Sequence, residues 1–180
     1  MSYRDELFEL LMKYSFKRGD FTLSSGQKST YYIDGKHTTL DSRGGFLVAK
    51  VFLAMIADDV PDAIAGLTMG ADPIIGSMLT LAGMEDLPLK GLIVRKEAKA
   101  HGTQSLVEGT VADGNRVVII EDVLTTGSSS IKAIDAVRDL GCSVDRVLAI
   151  VDREQGAKAN LKEAGCRMEA IFSIDELLRA

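Results

Sequence analysis

Apolar positions along the chain alternate between two rhythms. Residues 3–17 place Leu7, Leu10, Leu11 and Tyr14 on one face of a helix. The segment from Phe21 to Asp34 alternates as strands do, with Ser24, Ser25 and Gly26 as a turn. Residues 43–57 return to helical spacing through Val48, Val51, Phe52, Met55 and Ile56, and Pro61 ends that region. Ala63 to Leu67 predicts a short buried strand, followed by a loop from Thr68 to Pro73 and a helix to about Ala82. Strands are predicted at 92–94, 117–120, 144–151 and 168–172, with helices near 128–140 and 156–164. A last helix begins at about Ser173, an N-cap candidate with Glu176 three residues on. Strand and helix alternate, so the pattern predicts an α/β fold, a mostly parallel central sheet flanked by helices. Ligands of such sheets sit at the carboxyl ends of the strands, where the loops 68–73, 95–109, 121–129 and 152–155 fall.

The stretch Arg116 to Ile131 carries the clearest chemistry. Val117 to Ile120 are all β-branched, as in a strand buried on both faces. Two carboxylates, Glu121 and Asp122, follow at its carboxyl end. A turn of Thr125, Thr126, Gly127, Ser128, Ser129 and Ser130 then feeds a helix whose apolar residues are Ile131, Ile134, Val137 and Leu140. Free N–H groups and the positive end of the helix dipole meet in such a turn and suit a phosphate. Carboxylates repel phosphate, so the acidic pair should face sugar hydroxyls, which donate to it. Together they predict a cradle for a phosphorylated sugar. An ordinary capped helix would share the hydroxyls, though not the whole combination. The Gly-Lys-Ser/Thr of a Walker A loop is missing, as is the three-glycine dinucleotide fingerprint.

A second stretch, VRKEAKAHGTQSLVEG at 94–109, gathers Arg95, Lys96, Lys99 and His101 within seven residues. Its low apolar content predicts a mobile surface loop, suited to closing over a polyanion. Such cations neutralise a departing pyrophosphate, and His101 titrates near neutral pH when unperturbed.

Composition narrows the setting. The chain has 180 residues, 46% apolar and 26% charged, which suits one domain with a real core. No apolar run has the length of a membrane span, and the charged start MSYRDELFELL is unlike a signal peptide. The expected location is the cytoplasm, with no membrane partner. A net charge of −5 argues against a nucleic-acid surface. Cys142 and Cys166 each follow a glycine between a helix pattern and a strand pattern, so small buried residues are expected rather than a disulfide or zinc pair.

The string RVVIIEDVLTTGSSS resembles the PRPP-binding motif of the type I phosphoribosyltransferases. The resemblance implies that fold, with residues 1–40 adding a small N-terminal hood to a single domain of residues 1–180. It also implies that Glu121 and Asp122 hold the ribose hydroxyls of phosphoribosyl pyrophosphate (PRPP). Val123 and Leu124 lie in the same motif, and Thr125, Thr126, Gly127, Ser128 and Ser129 hold the 5-phosphate. The Arg-Lys-Glu-Ala-Lys-x-His-Gly wording is similar to the catalytic loop of orotate phosphoribosyltransferases. By that resemblance Arg95, Lys96, Lys99 and His101 contact pyrophosphate, and Lys99 and His101 act across a homodimer interface. Phe21 to Ser29 with Tyr31 and Tyr32 is similar to the hood over the base. Val151-Asp152-Arg153-Glu154 resembles the segment whose arginine meets orotate, with Thr125 beside it. The implied reaction joins PRPP and orotate into orotidine 5′-monophosphate, with magnesium held mainly by PRPP and water rather than by protein ligands. Glu121, Asp122, Lys99 and His101 are its expected catalytic residues.

Many family members carry lysine where Ser24 stands and a tyrosine-lysine pair near Asp72. The burden on Lys96 and Lys99 is then greater, and Asp72 either acts through magnesium or shapes its loop. Two other functions stay open: transfer to a purine or uracil, and a PRPP-sensing regulator without catalysis.

Overall fold

Ser2 starts the first helix by an exchange of hydrogen bonds. Its Oγ accepts from the Asp5 N–H at 3.1 Å, and Asp5 Oδ2 accepts from the Ser2 N–H at 2.9 Å. A computed structural model describes residues 1–22, 26, 28–97 and 105–180. Helix α1 runs Tyr3–Leu10 and gives way to a π-helical turn, Leu11–Ser15. The wider turn rotates the stripe expected for 3–17. Leu7 and Leu11 are fully buried, while Tyr14 points outward and Ser15 takes the inner position. The chain enters a strand at Phe16, so the predicted helix ends early.

Strands β1, Phe16–Thr22, and β2, Lys28–Ile33, pair antiparallel with Phe16 opposite Ile33. They form a small sheet separate from the main one. Gly26 lies in the expected turn, whereas Ser24 and Ser25 fall outside the described residues. A short helix α2, Lys36–Thr39, leads to α3, Ser42–Ile56, whose cap is the Asp41 carboxylate accepting from Arg43 and Gly44 N–H.

The remaining elements alternate as the periodicity predicts. They are β3 Ala63–Leu67, α4 Asp72–Met84, β4 Lys90–Val94, β5 Val107–Glu108, β6 Arg116–Leu124, α5 Ser128–Arg138, β7 Ser143–Asp152, α6 Ala157–Glu163, β8 Arg167–Ser173 and α7 Ile174–Arg179. The main sheet has the order β5-β4-β3-β6-β7-β8, with every described pair parallel except β4 with β5. β5 has two residues, too short to show as a period. It shortens the basic loop at its carboxyl side, from the expected 109 to 106.

β6 shows why the sheet is covered twice. Val118 and Ile120 join the core under α1, α3 and α4, while Val117 and Ile119 join the core under α5 and α6. Each such side chain contributes about 1.5–3 kcal/mol of burial free energy. Gly141 and Gly165 take left-handed φ of +81° and +77° at helix ends, and Cys142 and Cys166 behind them are buried and free. Ser173 caps α7 as expected, accepting from the Glu176 N–H, while the Glu176 carboxylate pairs with Arg4. Strand order reverses between β3 and β6, because β4 lies on one side of β3 and β6 on the other. A cleft opens at such a switch point. No described helix is long and apolar enough to cross a membrane.

Candidate active site

The acidic pair lies inside β6 rather than after it, because parallel pairing with β7 continues to Leu124 opposite Asp152. Neighbouring strand residues face opposite ways. Glu121 faces the α5 side, where Ser130 Oγ donates to its Oε2 at 3.5 Å. Asp122 faces the hood side. A Cβ on Gly35 would come within 2.9 Å of the Asp122 Cβ, and one on Gly70 within 2.6 Å of Asp122 Oδ1. Only glycine at both positions lets the hood and the 68–71 loop close on this carboxylate.

Glu121 and Asp122 are 7% and 9% exposed. Burial, then the adjacent Asp122 charge, pushes the Glu121 carboxyl up to about 8. Asp122 Oδ1 accepts from the Val123 N–H at 2.8 Å. Val123 is half-buried and Leu124 buried, so these two residues anchor the turn.

The turn itself leaves backbone donors open. Gly127 takes φ of +80° and precedes the first helical residue, and no side chain caps α5. The first-turn N–H groups of a helix have no intrahelical partner. They face a cavity of about 180 Å³ lined by Glu121 and by residues 123–130. Asn160 Nδ2 donates to the Thr126 carbonyl at 2.9 Å and fixes the turn from α6.

A second cleft of about 360 Å³ adjoins it through Glu121 and Ser129. Its other walls are Asp122, Lys36, Lys96 and the loop Thr68–Gly70. Asp72 bonds back to Thr68 Oγ1 at 2.7 Å through Oδ2, so it shapes this loop. Lys36 belongs to no helical or strand period and to no motif. Its nearest signal in the sequence is the Asp34-Gly35-Lys36 triplet at the end of the tyrosine-rich strand. Lys36 Nζ is 2.7 Å from Asp34 Oδ1 and 3.9 Å from Asp122 Oδ2.

Arg95 stands at the neck of the basic loop. Its N–H donates to the Leu106 carbonyl, and its Nε donates to Glu108 Oε1 at 2.9 Å. Lys99 and His101 lie outside the described residues.

Arg153 follows β7 and is tied to the turn, its N–H donating to the Leu124 carbonyl at 2.8 Å. Its Nε donates to Tyr31 Oη at 3.3 Å, with the guanidinium 5.1 Å from the ring centre. Tyr31 stacks on Phe16, so the hood holds this arginine. Arg153 Nη2 is buried with no hydrogen-bond partner among the described residues. An unsatisfied buried donor costs about 1–3 kcal/mol, which an acceptor on a ligand would recover. Thr125 is half-buried in the turn beside it.

No described trio of His, Cys, Asp or Glu forms a metal-binding cluster. Magnesium that takes its ligands from substrate and water fits beside Glu121 and Asp122, whose oxygens can accept from its bound water.

The phosphoribosyl transferase domain family model matches residues 39–170, and the chain belongs to that family. Its full-length relatives place it among the orotate phosphoribosyltransferases. One from a Nostoc species is 44% identical over 175 residues, spanning 97% of this chain and 84% of the relative. The crystal structure of Mycobacterium tuberculosis orotate phosphoribosyltransferase with Fe(III) dicitrate superposes with a TM-score of 0.86 at 38% identity, covering 98% of this chain and 99% of that one. The same enzyme in complex with PRPP gives 0.82 at 34% identity, with equal coverage.

Proposed function

We propose that this chain transfers the 5-phosphoribosyl group of PRPP to orotate, giving orotidine 5′-monophosphate and pyrophosphate in de novo pyrimidine synthesis. One observation carries this reading. Glu121 and Ser129 line both of two adjoining cavities, one lined by hydroxyls and a helix N-terminus, the other by Asp122, Lys36 and Lys96. A 5-phosphate fits the first, a diphosphate the second, and the ribose hydroxyls lie between them. The N–H groups of 127–130 and the hydroxyls of Thr125, Thr126, Ser128 and Ser129 hold the phosphate.

Glu121 and Asp122 accept from the ribose hydroxyls, Glu121 through its carbonyl oxygen while it keeps its proton, and the Asp122 carboxylate tolerates positive charge as the C1–O bond loosens. Magnesium, held mainly by PRPP and water beside this pair, would supply positive charge for the diphosphate when bound. Lys96, with Lys99 and His101 from the basic loop, takes up the leaving pyrophosphate. Arg95 closes the base of that loop through Glu108. Arg153 and Thr125 meet the orotate, and the free Nη2 of Arg153 suits its carboxylate. Residues 1–40 act as a hood over the base within one domain of residues 1–180. The working unit is a cytoplasmic homodimer in which Lys99 and His101 serve the partner's site.

Pyrophosphate release, measured with orotate, uracil, adenine and hypoxanthine in turn, tests this assignment. Release is expected with orotate alone. Release with a purine or uracil instead, or PRPP binding without release for any base, would overturn it.

A further inference from the structure

We infer that Lys36 is a substrate-binding residue that meets the diphosphate of PRPP from the hood side of the cleft. The inference rests on the reading of the two cavities given under Proposed function. The loop 68–73, Thr-Met-Gly-Ala-Asp-Pro, contributes backbone to the cleft but no cation, and its only charged residue is Asp72. A diphosphate held there needs positive charge from elsewhere. Among the described residues, Lys36 and Lys96 are the lysines lining this cleft.

Three features fit Lys36 to the task. First, its position is fixed. The Asp34 carboxylate accepts from the Lys36 N–H at 3.1 Å and holds Nζ at 2.7 Å. A lysine stem pinned at both ends loses less rotamer freedom on binding a ligand. Second, its donors are not all used. An ammonium has three, and Asp122 at 3.9 Å is beyond hydrogen-bond reach. Third, it stays charged. Burial works to lower its pKa, but the bond to Asp34 and the charge of Asp122 outweigh burial and raise it. The missing Cβ of Gly35 lets this arm lie against Asp122, beside the carboxylate assigned to the ribose.

The competing role is structural, a counter-ion that only neutralises Asp34 and Asp122. The two roles differ in what a charge-free variant binds. Affinities for PRPP, for inorganic pyrophosphate and for inorganic phosphate are measured by calorimetry on the full-length wild type, Lys36→Met and Lys36→Gln, with melting curves as the fold control. Loss of a charge-assisted contact weakens binding on the order of tenfold or more. PRPP and pyrophosphate should each weaken by about that factor in both variants, with inorganic phosphate in the 123–130 cavity changed less than about twofold, as expected for a site the variant leaves intact. Lys36→Arg, which restores the charge, should recover most of the loss. A folded variant with wild-type pyrophosphate affinity overturns the inference, and so does an equal loss for pyrophosphate and phosphate. Were the wild type to bind neither PRPP nor pyrophosphate, the reading of the cavities would fail first.

Discussion

Glu121 keeps its proton to a higher pH than a carboxyl in water, because burial and the neighbouring Asp122 oppose its charge, and the folded-state value is about 8. Its unfolded value lies near 4.5. Between those values the folded chain binds the extra proton, so stability falls as pH rises through this window, with a slope of at most about 1.4 kcal/mol per pH unit. Glu121→Gln cannot titrate there. Urea midpoints of the ligand-free protein between pH 5 and 8 should fall for the wild type and stay flatter for the variant. Equal slopes would place the raised carboxyl elsewhere. Arg153 gives a second residue test. Arg153→Ala should raise the Michaelis constant for orotate about tenfold or more, the usual cost of a lost charge-assisted bond, and that for PRPP much less. Equal rises would make it a structural arginine.

These two residues stand out in the sequence for different reasons. The acidic pair was legible because it interrupts an apolar run and precedes a hydroxyl-rich turn. Arg153 stands out only through its neighbours in the chain, and its Nη2, unpaired among the described residues, is visible only in three dimensions. Lys36 was not legible, since its position depends on the hood packing against β6, which no local period encodes.

At the scale of elements, the turn between β6 and α5 needs a backbone conformation that glycine adopts readily. Gly127 sits at φ +80°, and a Cβ there would meet Leu161 Cγ at 3.3 Å. Gly127→Ala should cost about 1–2 kcal/mol of stability, the penalty of a left-handed L-residue. It should also weaken inorganic phosphate binding, because the first-turn N–H groups would shift. Wild-type affinity in a destabilised variant would move the phosphate site away from this turn. The strand and helix series was readable through the parallel strands of the sheet, where burial on both faces gives continuous apolar runs. It failed at the amino terminus, because Leu7, Leu10, Leu11 and Tyr14 fit a helix that the π turn then rotates. The pairing of β4 with β5 rests on two residues and left no pattern to read.

At the scale of the whole molecule, the proposed homodimer makes each site composite. Lys99→Ala and Asp122→Asn then damage different parts of it, and either homodimer should be nearly inactive. A heterodimer of the two carries one site with both defects and one with neither, so coexpressed, doubly tagged dimers should recover up to about half of wild-type activity. Heterodimers no more active than their parents would mean that the loop serves its own chain.

The central claim is ribosyl transfer to orotate, and the most direct measurement follows orotate itself. The purified chain is mixed with orotate, PRPP and magnesium, and orotate loss is compared with pyrophosphate release. Equal amounts are expected, with no loss when PRPP is left out. A folded chain that leaves orotate untouched in the complete mixture, or releases pyrophosphate without consuming it, would contradict the account.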